Sequence, residues 1–263
     1  KQWTKFLGTD SGDYAKALTI GTDGSIYIAG FTTIASSFSS PGLWVSTDKF
    51  EGQTKKGLGD AFISKLDPDG NKQWSRLLGS EDDDLAKSLA TGNDGSIYVA
   101  GDTRGDLDGQ INSGESDVFI SKFNKEGDKE WTKLLGSPKS DYGRAITTGT
   151  DGSIYVTGET NADLDGQINS GYSDGFISKF KSDGEKEWTR LFGDSSYDYA
   201  SGITTGIDGS IYITGRTAHN NAYIIKFSSQ GDKLWNKKID INENQDLTGT
   251  PRALTTGADG SIY

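Results

Sequence analysis

The chain has 263 residues, of which 32% are hydrophobic, 36 are Gly and only 4 are Pro. That length can bury a substantial core in one large domain or two small ones, and the composition excludes a collagen-like or Pro-rich chain. With 38 Asp+Glu against 27 Lys+Arg the formal charge is −11, and there is no Cys. This opposes nucleic-acid binding through phosphates, favours cations, and excludes disulfides, thiol nucleophiles and cysteine metal sites. No apolar run approaches the ~20 residues of a membrane helix, so no membrane insertion is expected. A chain that opens at Lys1 and holds no Met reads as a processed product or an excised piece.

The pentapeptide Asp-Gly-Ser-Ile-Tyr begins at Asp23, Asp94, Asp151, Asp208 and Asp259, at intervals of 71, 57, 57 and 51 residues. Trp3, Trp74, Trp131, Trp188 and Trp235 keep nearly the same rhythm. Periods of this size mark supersecondary units that cannot bury their faces alone. Each repeat predicts four strands in order. A small-residue strand (15–21, 144–149) precedes the Ser-Ile-Tyr strand (25–30, 96–101, 153–158, 210–215). The third strand spans 61–66, 118–123, 175–180 and 222–227, and the fourth carries the Trp (130–135, 187–192). Alternation and aromatic content favour strands, and the Asp-Gly pairs mark tight turns. The regularly placed Trp residues are expected to pack between repeats.

The expected fold is an all-β propeller of four-stranded antiparallel blades, five in number, the last one incomplete or closed by the N-terminal strand at Trp3. One domain spans 1–263, with repeats at 13–79, 84–136, 141–193 and 198–240, and a last one made of 250–263 plus 1–8. The connection from strand two to strand three varies in length while the strands stay constant, as a rigid scaffold with variable loops requires. In the first repeat that connection carries Trp44 with Phe31, Ile34, Phe38, Leu43, Val45 and Phe50, a set expected either to fold over an otherwise exposed edge or to present an apolar patch to a partner.

The third repeat carries the fullest pattern. Ser140-Asp-Tyr-Gly-Arg-Ala-Ile leads to Asp151-Gly-Ser-Ile-Tyr-Val-Thr-Gly, then Asp174-Gly-Phe-Ile-Ser-Lys-Phe, then Asp183-Gly-Glu-Lys-Glu-Trp. This pattern resembles the bacterial SBBP β-propeller repeats, which are related to NHL-type blades, and the likeness extends over almost the whole chain. The resemblance implies a segment of a large secreted bacterial protein, extracellular or at the cell surface.

By analogy with propellers, the connections between strands two and three and between repeats share one face. They hold 21 of the 38 acids, so that face is expected to be electronegative. The sharpest motif is Asp106-Leu-Asp-Gly-Gln-Ile-Asn-Ser-Gly-Glu-Ser-Asp117, repeated from Asp163 to Asp174. Calcium takes six to eight oxygens from a flexible loop, which makes Asp106, Asp108, Asn112, Asp117, Asp163, Asp165, Asn169 and Asp174 candidate Ca2+ ligands. The alternative is that these side chains support turns. Lys16, Lys87, Arg144 and Arg252 hold equivalent positions in the inner strands, with Ser201 as the exception. They are expected either to receive an anion or to pair with Asp13, Asp84, Asp141 and Asp198. Tyr14, Tyr142, Tyr172, Tyr197 and Tyr199 are the candidate contacts of a lectin. A serine triad would depend on His219 alone, without a nucleophile-elbow signature, and no repeat stands apart by unique acids. The expected function is a non-catalytic structural or binding module for a protein or glycan at the cell surface, stabilised by calcium if the loops bind it. A carbohydrate-binding propeller is the alternative, and a hydrolase using paired acidic residues is a third, less favoured one.

Overall fold

The computed structural model describes residues 3–5, 7–9, 12–33, 49–217, 221–239 and 251–263. His219, Asp10, Asp48 and the Trp44 cluster from Ile34 to Val45 lie outside them. The described residues form strands, turns and coil, with no helix among them. In chain order the strands are β1 (Asp13–Ile20), β2 (Ile26–Thr33), β3 (Lys49–Phe50), β4 (Gln53–Thr54), β5 (Gly59–Leu66), β6 (Lys72–Leu78), β7 (Asp84–Thr91), β8 (Ile97–Thr103), β9 (Asp117–Phe123) and β10 (Lys129–Leu135). There follow β11 (Asp141–Thr148), β12 (Ile154–Thr160), β13 (Asp174–Phe180), β14 (Lys186–Phe192), β15 (Tyr199–Thr205), β16 (Ile211–Arg216), β17 (Ala222–Phe227) and β18 (Lys233–Ile239).

They assemble into four blades ordered β1-β2-β5-β6, β7-β8-β9-β10, β11-β12-β13-β14 and β15-β16-β17-β18, plus the β3–β4 hairpin. Neighbouring strands within a blade run antiparallel. The fold is therefore all-β and blade-built, of the propeller class. β1, β9, β11 and β13 start one to three residues earlier than alternation indicates, because a polar Asp opens each of them, while the Ser-Ile-Tyr strands β2, β8, β12 and β16 start one residue later. Residues 3–5 and 7–9 hold no strand. The last repeat contributes the Thr256–Ile262 bridge, tied to the fourth blade by Thr256 Oγ1, which donates to Thr205 O at 2.9 Å.

Two compact units can be distinguished, Lys1–Asn112 with Phe119–Leu134 and Ser113–Val118 with Leu135–Tyr263. In the first, β7 packs on β1, β2 and β5 around Ala61, Ile63, Ile97, Val99 and Phe119. In the second, β15 packs on β11, β12 and β13 around Tyr155, Ile177, Ile211 and Ile225. The second strand of a blade is covered on both faces and reads as an apolar run, as β8 and β12 do, while the outer strands keep an exposed flank. The repeated Trp does pack between blades: a Cβ on Gly127, in the second blade's outer turn, would come within 2.7 Å of the Trp74 ring.

The junction from one blade to the next is polar and buried. Ser80 N and Oγ donate to Asp84 Oδ2 at 2.6 and 2.8 Å, and Ser137 N and Oγ donate to Asp141 Oδ2 at 2.6 and 2.7 Å. Thr9 does the same for Asp13, and Asp194 N for Asp198. Each linker thus folds into a four-residue loop closed on the first Asp of the next blade. The Asp that opens the preceding blade's third strand presses onto the same loop. A Cβ at Gly136 would lie 2.0 Å from Asp117 Oδ1, so no other residue fits there without displacing the loop. Backbone bridges complete the seam, with Asp141 N donating to Ser116 O at 2.6 Å and Asp198 N to Ser173 O at 2.8 Å.

Asp84, Asp117 and Asp141 are 0% exposed, and their Oδ1 atoms have no hydrogen-bond partner. Burial pushes Asp84 and Asp141 up to about 6, with the Asp60 and Asp117 carboxylates adding repulsion. Burial likewise raises Asp60, Asp117 and Asp174.

Gly136→Ala should lower stability by about 1–3 kcal/mol through overpacking, read as a fall in Tm; an unchanged Tm would contradict the close approach. The raised carboxyls set a pH dependence of definite sign. Between the ordinary Asp value of 3.8 and about 6, the folded chain holds more protons than the unfolded one. Their contribution to stability is therefore greatest in acid and is lost as pH rises through 6. Replacing Asp84 and Asp141 by Asn, which imitates the protonated form, should raise Tm at pH 7.5 by a few degrees, at roughly 2 kcal/mol for each site. It should also flatten the pH profile between 4 and 7. The exposed pair Asp69→Asn and Glu81→Gln should do neither, and equal behaviour of the two double variants would contradict the assignment.

Candidate functional site

The acidic loops fold as self-supporting hairpins. In the second blade Leu107 is fully buried and bridges to Gln110, and between them Asp108 and Gly109 take φ of +54° and +77°. Leu164 and Gln167 repeat this around Asp165 at +55°, and Phe50 and Gln53 around Glu51 at +51°. An Asp-Gly pair with both φ positive makes the tight turn whose twist suits two strands. The acid of each turn is aimed at the outer strand of its own blade. Thr132 Oγ1 donates to Asp108 Oδ2 at 2.6 Å and Lys129 forms an ion pair with the same carboxylate. Asp165 is held likewise by Thr189 and Lys186, and Glu51 by Lys72.

The remaining motif residues close the loop on itself. Asn112 N donates to Asp106 Oδ1 at 2.9 Å, and the Asn112 side chain donates to Thr103 O at 3.1 Å. Asn169 repeats both bonds with Asp163 and Thr160 O. Ser113 N and Ser170 N donate to Asp117 and Asp174. The eight residues therefore separate into turn acids, loop closers and seam acids. Among the described residues no group of three or more His, Asp or Glu converges as a metal would require. The recurring hydrophobic–acid–Gly–Gln tetrapeptide at Phe50, Leu107 and Leu164 was the sequence signal for a hairpin in all three blades.

Eight acids of the expected electronegative rim are interior, while the other described ones keep some exposure. Asp60, Asp84, Asp102, Asp117, Asp141, Glu159, Asp174 and Asp198 are each no more than 5% exposed. The basic residues also have different partners from the expected ones. Lys87 pairs with Asp102, and Arg144 Nε donates to Glu159 Oε1 and Oε2 at 3.0 and 2.9 Å. Both partners lie on the second strand of the same blade: Lys87 and Arg144 are themselves the extra residues of the register shifts in β7 and β11, which redirects their side chains. Lys16 lies over the stacked rings of Tyr14 and Phe31, and Arg252 is exposed.

The described seams differ at one pair of positions, which is Leu58 and Asp83 in the first of them. In the seam between the second and third blades, Ser140 Oγ donates to Glu115 Oε2 at 2.7 Å. In the next seam these positions are Tyr197 and Tyr172, stacked at 5.0 Å and 13° and exposed by 47% and 68%. Tyr199 continues the ladder at 6.3 Å from Tyr197 and nearly parallel to it, and the Arg216 guanidinium lies over Tyr199 at 5.5 Å. Arg216 occupies the position of Asp102 and Glu159, so the charge is reversed in the fourth blade, where Ser201 replaces the Lys or Arg of the inner strand. Arg144 lies over Tyr142 at 5.4 Å, and the charges of both Arg144 and Glu159 reach Tyr199. Beside this ladder an open hollow of about 410 Å3 is lined by Lys139, Asn161, Asp163, Asn169 and Gly171, the last directly preceding Tyr172. Arg216 and Glu159 were not among the expected site residues. Aligning the repeats position by position exposes Arg216 by its sign.

The SBBP beta-propeller repeat model matches residues 73–108, 130–165 and 187–221. The chain is 32% identical over 217 residues to the regulatory protein FlaEY of Caulobacter vibrioides; the match covers 77% of this chain and 22% of that protein, so the chain spans about a fifth of this relative. Among solved structures, a protein of unknown function from Bacteroides caccae is similar at 14% identity and TM-score 0.49, with 76% of this chain and 60% of that one covered. A catalytically inactive virginiamycin B lyase from Staphylococcus aureus with quinupristin is similar at 16% identity and TM-score 0.48, with 98% and 80% covered. The three matched segments each run from a Trp-bearing outer strand through the inner strands of the next blade, and on them the chain belongs to the SBBP β-propeller repeats.

Proposed function

We propose that the chain is a non-catalytic binding module of a larger bacterial protein, extracellular or at the cell surface, whose partner is a protein or glycan there. The observation that carries this reading is the exposed tyrosine ladder, which among the described seams is found between the third and fourth blades. Where two neighbouring blades are built alike, the fold does not need an exposed tyrosine ladder in only one of their junctions. The acids support the same reading. Those with the most displaced protonation, Asp84 and Asp141, are buried in seams and closed by serine donors. The FlaEY relative, of which this chain spans about a fifth, supports a place within a longer polypeptide.

In a binding assay with bacterial envelope preparations, the labelled chain should bind saturably and release no product from them. Absence of saturable binding, or a turnover that a single acidic substitution abolishes, would contradict the reading. The loop acids have protein partners, so adding Ca2+ and then a chelator should leave Tm unchanged. A rise of several degrees, reversed by the chelator and lost in Asp108→Ala with Asp165→Ala, would instead establish calcium as a structural ion.

A further inference from the structure

Resting on the binding-module reading, we propose that the Tyr172–Tyr197–Tyr199 ladder and the adjoining hollow form a subsite for a neutral glycan chain. A pyranose ring has an apolar C–H face and a rim of hydroxyls. The ladder offers the matching surface. Tyr172, at its end, is 68% exposed, and its phenol combines an apolar ring with a polar tip. A tyrosine side chain also loses little conformational freedom when it is covered, which suits it to a standing contact surface. The parallel stack fixes the rings in one orientation before any ligand arrives, since Tyr197 is held between Tyr172 and Tyr199. The Arg216 guanidinium over Tyr199 anchors the half-buried end.

The hollow sets the polarity of the ligand. Its lining combines the carboxylate of Asp163, the amides of Asn161 and Asn169 and the Lys139 ammonium with Pro138 and Ala162, a mixed surface that suits the hydroxyls and C–H groups of a sugar. A peptide partner would call for an apolar anchor pocket at this place. Charge excludes the other polymers. The formal charge of −11 repels nucleic acids and acidic polysaccharides. Within the patch, Arg144 is neutralised by its two-pronged pairing with Glu159. What remains is a flat aromatic step beside a polar trough, on a surface without a single dominant sign.

The test uses the full chain in native gels containing laminarin, xyloglucan, galactomannan or arabinan. At least one of these should retard it. Tyr172→Ala combined with Tyr197→Ala should weaken that retardation about tenfold or more, while Tyr172→Phe should keep most of it. Tyr14→Ala should leave it intact, because that exposed tyrosine lies in the first blade. The tyrosines are exposed, so the double variant should melt within a few degrees of the parent, which separates lost binding from lost folding. Equal retardation of the double variant would overturn the assignment to these rings while leaving the module a binding protein. Silence towards all four polysaccharides, alongside saturable envelope binding that a protease destroys, would overturn the glycan and favour a protein partner.

Discussion

Each described junction from one blade to the next depends on a buried carboxylate, Asp84, Asp141 or Asp198. An ionised or even neutral carboxyl in such a place is tolerated only if backbone and side-chain donors meet it. Here the donors come from the four-residue loop that links the blades, so the group that must be satisfied also dictates the path of the chain. Gly79, Gly136 and Gly193 leave room for a second carboxylate from the preceding blade to press on the same loop. Strand pairing makes each blade, and these junctions close the loop that leads into the next first strand.

This explains why polar residues are so prominent in an interior that the apolar content alone would leave thin. Asp84, Asp117 and Asp141 are buried as thoroughly as Ile63 or Ile97. They are not arranged as a catalytic pair facing solvent; each has one oxygen saturated by the loop and one left without a hydrogen-bond partner. The second oxygen is where the protonated form gains over the charged one. The seam acids are thus a structural counterpart of the acids used in active sites, raised by the same physical causes but closed to substrates.

The blades were legible in the sequence because strand alternation, Asp-Gly turns and a Trp on the outer strand recur together. Strand starts were less legible. Alternation of apolar residues cannot mark a strand that opens on a buried Asp, as β7, β9, β11 and β13 do. The acidic loops illustrate the same limit. Asp106 and Asp108 are two residues apart in sequence, the spacing of a calcium loop, yet the positive φ of Asp108 and Gly109 turns Asp108 towards Thr132 and Lys129. Spacing alone does not carry that dihedral information. For the basic residues, composition pointed to nearby acids in the same strand, whereas the register shifts in β7 and β11 direct Lys87 and Arg144 to the neighbouring one. The tyrosines were visible as candidates, but their stacking needed two seams to be placed side by side. The repeat then acts as its own control, since Glu115 and Ser140 show what the same junction looks like without aromatic rings.

Amide hydrogen exchange at the seams tests the central claim most directly. Ser80 N, Ser137 N and Asp141 N lie in or beside linkers, where exchange is ordinarily fast. If the buried carboxylates and the bridge to Ser116 hold the blades in sequence, these amides exchange as slowly as those in the middle of β8 and β12. Exchange at the rate of an exposed turn, with the strands still protected, would mean that the blades are joined by something other than these seams.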